Sequence, residues 1–130
     1  MHIEHLAIWI RDLERMRVFY ETYFEATANE KYTNITKGFS SCFLSFPQGG
    51  PRLELMHMPG IPDTLNDALM QFTGLIHFAV SVGDEAAVDT LTNRFRADGL
   101  TIVGEARRTG DGYYESVVLD PEQNRIEITA

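Results

Sequence analysis

Residues 3–24, IEHLAIWIRDLERMRVFYETYF, and 75–95, LIHFAVSVGDEAAVDTLTNRF, align without a gap, and nothing else in the chain constrains its fold so tightly. His5 meets His77, Ala7 meets Ala79 and Asp12 meets Asp84, while Leu6, Ile8 and Ile10 meet Phe78, Val80 and Val82. Further on, RLEL (52–55) matches RIEI (125–128) and brings Glu54 onto Glu127. Self-similarity at a fixed period is the signature of a repeated supersecondary unit. The chain therefore reads as one domain, 1–130, made of two modules at about 3–58 and 75–129. The segment 59–74 joins them, with a short helix expected at 64–72.

Each module has the same predicted order. A strand (3–10; 75–82) runs into an aspartate placed to cap a helix, Asp12 or Asp84. The first helix carries Leu13, Met16, Phe19, Tyr20, Tyr23 and Phe24 at helical spacing. The second carries Ala87, Val88, Leu91 and Phe95 and stops at Gly99. Three extended segments follow, at about 28–35, 39–46 and 51–58, then again at about 101–108, 113–119 and 125–129. Turn sequences PQGGP, TGDG and DPEQN separate them. The expected fold is α+β: βαβββ, twice.

Alternation of side chains along these strands sorts them into two faces. Leu6, Ile8, Ile10, Phe78, Val80, Val82, Leu53, Leu55, Ile126 and Ile128 make aliphatic faces suited to helix packing. The opposite faces hold His5, Ala7 and Trp9; His77 and Ala79; Glu54 and Met56; and Glu127 and Thr129. A single histidine in an apolar strand is ordinarily a hydrogen-bonded core residue. Two histidines and two carboxylates recurring in register on like faces favour a divalent metal instead. Imidazole and carboxylate donors without thiolate suit octahedral Ni, Co, Mn, Fe or Zn rather than a structural zinc site. Trp9 and Met56, on the same face, read as substrate-contacting wall. His57, an odd number of positions from Glu54, points away, and Arg107 and Arg108 read as a solvated hairpin edge.

Composition narrows the partners. With 44% hydrophobic and 23% charged residues the chain is of ordinary globular composition, and its net charge of −8 disfavours nucleic acid and anionic membranes. No apolar run reaches the ~20 residues of a membrane span. The N-terminus lacks the basic start of a signal peptide, so a cytoplasmic location is expected. The single cysteine, Cys42, reads as a small buried hydrophobe.

The stretches EHLAIWIRDLERMRVFYETYF, LEL, GLIHFAV and GDGYYESVVLDPEQNRIEI together resemble the vicinal oxygen chelate superfamily, the glyoxalase I, bleomycin-resistance and extradiol-dioxygenase group. The resemblance covers essentially the whole chain. It implies paired βαβββ modules forming an open, incompletely closed β-barrel with the helices outside. It also implies metal ligands at His5, Glu54, His77 and Glu127, a set similar to that of bacterial lactoylglutathione lyase, commonly a nickel or cobalt enzyme. The implied reaction moves a proton between vicinal carbons through a metal-stabilised ene-diolate, turning a hemithioacetal into a 2-hydroxyacyl thioester. Glu127 is the first choice for the base and Glu54 the second. A homodimer with sites at the subunit interface is expected, as in many small relatives. Trp9 stands where glutathione-using enzymes place an arginine, and Met58 where they tend to have an asparagine, so the pocket is expected to be more apolar. Acyl-CoA epimerisation, dioxygenation and non-enzymatic drug binding remain as alternatives.

Overall fold

A computed structural model describes residues 1–130, in two compact units, Met1–Asp63 and Thr64–Ala130. The first unit runs β1 (His5–Trp9), α1 (Leu13–Phe24), β2 (Thr27–Ala28), β3 (Tyr32–Asn34), β4 (Phe39–Ser45) and β5 (Arg52–His57). The second runs β6 (Phe78–Ser81), α2 (Glu85–Ala97), β7 (Ile102–Arg108), β8 (Tyr114–Leu119) and β9 (Arg125–Thr129). The α+β class and the repeated βαβββ order are as the sequence predicts.

In the first unit the sheet order is β1-β5-β4-β2, with β3 also pairing with β4; in the second it is β6-β9-β8-β7. In both, the first strand lies parallel to the last, β1 on β5 and β6 on β9, and the other pairings are antiparallel. A parallel neighbour requires a crossover, and the helix after the first strand begins that long excursion.

The helices start where the aspartates place them. The Asp12 side chain accepts from the Arg15 amide at 3.0 Å and the Asp84 side chain from the Ala87 amide at 2.8 Å. Each satisfies an amide the helix cannot. At the other end of α2, Gly99 adopts φ +77°, the left-handed turn that glycine takes without penalty.

Each helix covers one face of its sheet. Leu13, Met16, Phe19, Tyr20 and Phe24 of α1 are buried, as are Cys42, Leu44, Leu53 and Leu55 of β4 and β5. In the second unit Val88 and Phe95 are fully buried, with Val118, Ile126 and Ile128 beneath the helix. Thr92 is buried too, which periodicity of apolar residues alone does not reveal. Its hydroxyl donates to the Val88 carbonyl at 2.6 Å and meets Ser116 Oγ at 2.7 Å, so neither hydroxyl is left unsatisfied.

Three local expectations are corrected. Residues 64–72 form turns rather than a helix. The Asp67 side chain accepts from the Leu69 amide at 2.9 Å and Thr64 Oγ1 from the Asn66 amide at 3.1 Å, competing with helical bonds. Leu65, Leu69 and Met70 remain exposed, so no apolar face drives a helix to form. The backbone is held instead by the buried Arg125, whose guanidinium donates to the carbonyls of Ala68 (2.6 Å) and Met70 (3.3 Å). The expected strand at 28–35 is two short pieces, β2 and β3, which pair with β4 one residue out of step with each other. Finally, β6 begins at Phe78, so His77 lies at the strand's entrance rather than within it.

Candidate metal centre

The parallel pairings position the candidate donors. In the first unit His5 lies opposite Arg52 and Ala7 opposite Glu54, which makes His5 and Glu54 diagonal neighbours on one face. Leu53 and Leu55, on either side of Glu54, are buried against the helix, so the Glu54 side chain is forced to the open face. His5 Nε2 is 3.8 Å from Glu54 Oε2. The second unit repeats this with Ala79 opposite Glu127 and with Ile126 and Ile128 buried on either side of the carboxylate. His77 Nε2 is 3.3 Å from Glu127 Oε2. Two cis donors bound at about 2.1 Å to an octahedral ion lie roughly 3 Å apart. Each pair therefore has nearly the spacing one ion needs, and imidazole with carboxylate suits the metals named above.

Each unit thus brings together one histidine and one glutamate, and no group of three or more His, Cys, Asp or Glu side chains is gathered at metal-holding distance.

Neighbouring groups prepare His5. Its Nδ1 is 2.5 Å from Glu4 Oε2. With Nδ1–H donating to Glu4, Nε2 keeps its lone pair on the Glu54 side, the tautomer a metal ligand requires. Glu4 also accepts from Arg52, and the hydrogen bonds from His5 and then Arg52 hold its carboxyl below the ordinary carboxylate value. The His5 ring meets Phe43 edge-on, with centroids 5.3 Å apart, and the Arg52 guanidinium covers Phe43 at 4.2 Å.

Glu127 has a different setting. Burial pushes its carboxyl above the usual 4.5; His77 pulls the other way, and the nearby Glu115 carboxylate adds to the upward shift. Glu115 lies opposite Thr129 on β8 and is in turn 3.5 Å from Arg107. A raised folded-state value means that the folded chain holds this proton more tightly than the unfolded chain does. The associated stability is complete below about pH 4.5 and is lost as pH rises through the folded value. We therefore expect Glu127→Gln, assayed in chelator, to raise the thermal midpoint near pH 7 but not near about pH 3.5. Equal differences at both pH values would contradict the assignment.

Among the other residues singled out in the sequence, Trp9 and Met56 are opposite one another at the ends of β1 and β5, on the Glu54 face. His57 points away, its Nδ1 3.2 Å from the Ile10 carbonyl oxygen. Arg108 pairs with Glu85. Cys42 is buried. Sequence reasoning missed Glu4, whose part depends on its neighbour's ring nitrogen. It also missed Glu115, which has no carboxylate counterpart in the first module: Ser41 stands opposite Met56 there. Alternation along YYESVVL was the available signal for Glu115, since it puts that residue on the Glu127 face.

Comparison with solved structures gives the same fold. A glyoxylase/bleomycin resistance protein/dioxygenase domain from Frankia sp. EAN1pec matches with a TM-score of 0.81 and 18% identity, covering 99% of this chain and 96% of that one. The trypanothione-dependent glyoxalase I of Leishmania major matches at TM-score 0.74 and 22% identity, over 99% of this chain and 86% of that one. A glyoxalase I mutant from Zea mays matches at TM-score 0.75 and 22% identity, over 98% of this chain and 44% of that one. No match is found among curated proteins. No helix is long and apolar enough to cross a membrane. The family model for the Glyoxalase/Bleomycin resistance protein/Dioxygenase superfamily matches residues 2–128, and the chain belongs to that superfamily.

Proposed function

We propose that the protein is a metal-dependent lyase or isomerase of the glyoxalase I type, acting on a small molecule with two vicinal oxygens. The observation that carries this reading is the repeated His–Glu pair, His5 with Glu54 at 3.8 Å and His77 with Glu127 at 3.3 Å. The four side chains would hold a divalent ion, nickel or cobalt by preference, with zinc, manganese or iron as other candidates. As in many small relatives of the superfamily, we assign the complete set to a cytoplasmic homodimer with one pair from each subunit.

The ion, when bound, would polarise two adjacent substrate oxygens and so acidify the C–H between them. Glu127 takes that proton and returns it to the neighbouring carbon. A carboxylate loosely held by the ion can leave it to act as the base, and Glu127 lies on the open face of β9 beside His77. Glu54 is the second candidate for the same task. His5, its Nδ1 fixed by Glu4, holds position and keeps Nε2 available.

The test is metal analysis of the purified protein, with turnover of methylglyoxal hemithioacetals made with several thiols, before and after adding Ni²⁺ or Co²⁺. Bound divalent metal and a metal-stimulated rate are expected. Absence of both would overturn the proposal.

A further inference from the structure

The two modules place an arginine at the same register position and use it differently. In the first unit Arg52 lies opposite His5, and its guanidinium donates to Glu4, the carboxylate beside His5 Nδ1. In the second unit Phe78 lies opposite Ile126, so one step back along these parallel strands brings Arg125 level with His77. Ile76 stands where the first module has Glu4. His77 therefore lacks the carboxylate that steadies His5, and its polar partner is Glu127 alone, on the Nε2 side.

Arg125 turns instead to the segment that precedes β6. The residue is only 8% exposed, yet no carboxylate pairs with it. Its Nη2 donates to the carbonyl oxygens of Ala68 at 2.6 Å and Met70 at 3.3 Å. A guanidinium withdrawn from water has to be hydrogen-bonded, and backbone carbonyls do that here.

The segment depends on Arg125 in return. Within 64–72 the other hydrogen bonds are local: the Asn66 amide to Thr64, the Leu69 amide to the Asp67 side chain, and the Met70 amide to the Asp67 carbonyl. Only the two bonds from Arg125 tie this stretch to the sheet. The chain then bends at Gly74, with φ +130°, and reaches His77 three residues later. The ladder of β6 starts at Phe78, whereas His5 lies inside β1 and is paired along its own ladder. The approach to His77 is thus set on one side by the ladder and on the other by the segment that Arg125 clamps.

We propose that Arg125 is a positioning residue for His77. By fixing the 68–70 backbone to the start of β9 it sets the path into β6 and holds the imidazole beside Glu127. Arg52 serves His5 through a carboxylate, so one register position supports both histidines by different means. That His77 is a ligand rests on the proposed lyase reading; the clamp itself does not need the metal.

The test uses the full chain at one fixed pH, with Arg125→Met, which removes both bonds, and Arg125→Lys, whose ammonium can donate to both carbonyls. The first readouts are taken in chelator: amide exchange at Leu69 and Met70, and the His77 ring Cε1–H resonance, assigned by its loss in His77→Ala. Arg125→Met should speed that exchange by about tenfold or more and move the His77 resonance toward its unfolded position. It should also weaken Ni²⁺ binding by about tenfold, as loss of a group supporting a ligand does. Arg125→Lys should recover most of all three effects, which a loss of packing alone would not produce. Parent-like exchange in Arg125→Met, or faster exchange with the His77 resonance unmoved, would overturn the proposal. Should Arg125→Met not fold, Asp67→Ala loosens the same turn from its exposed side and leaves the sheet intact. It should move the His77 resonance in the same direction, and an unmoved resonance there counts equally against the clamp. A parent that binds no Ni²⁺ defeats the lyase reading, while the clamp still stands or falls on the His77 resonance. If Ni²⁺ binds and the resonance ignores every variant, the clamp fails and the lyase reading stands.

Discussion

Glutamine at position 127 should reduce metal-stimulated turnover by about 10²–10⁴-fold, the range associated with loss of a positioned general base. The change keeps the side chain's size and its place between Ile126 and Ile128, so the strand and its core face are undisturbed. It keeps one oxygen near His77 but removes the negative charge and the capacity to accept a proton, so metal binding must be followed beside the rate. The informative measurement is therefore kcat alongside bound metal. A large fall in kcat with metal still present identifies the base, whereas parallel loss of both identifies a ligand only. His77→Ala serves as the contrast, because removing an imidazole donor should lower metal content and rate together. Glu54→Gln completes the comparison. If it stops turnover while Glu127→Gln leaves the rate within a few-fold, the proton-transfer role belongs to Glu54.

The repeat made most of this arrangement legible in the sequence. Sequence alignment of the two halves paired His5 with His77 and Glu54 with Glu127, and strand alternation set each carboxylate opposite its buried aliphatic neighbours. Both are backbone rules, so they survive translation into structure. Asp12, Asp84 and Gly99 were legible for the same reason, since each answers a local backbone demand. The errors lie where a side chain decides against the pattern. Asp67 and Thr64 turned an expected helix into turns by bonding nearby amides. Glu4 was invisible because its importance is a contact with His5 Nδ1, and Glu115 because it departs from the repeat.

The largest stability effect is expected from the opposite side of the same strand that bears Glu127. Phe95 is fully buried on α2, in the unit whose core includes Val118, Ile126 and Ile128. Truncating a buried phenylalanine to alanine loses the ring's transfer free energy and leaves a cavity that a close-packed core fills poorly, a cost of about 3–5 kcal/mol. Thr90→Ala, an exposed change on the same helix, should stay within about 0.5 kcal/mol. Denaturant unfolding of the two variants beside the parent measures the difference, and a Phe95→Ala cost under about 1 kcal/mol would contradict this account of the core. The comparison bears on the site as well. Ile126 and Ile128 face the helix while Glu127 faces away, so one strand couples core packing to the placement of a candidate ligand. Phe95→Ala should therefore lower stability at every pH, whereas Glu127→Gln raises it only where the native carboxylate is ionised. Opposite signs near neutral pH, from the helix packed on one face of β9 and from the carboxylate on its other face, are what a sheet with a packed side and a chemical side predicts.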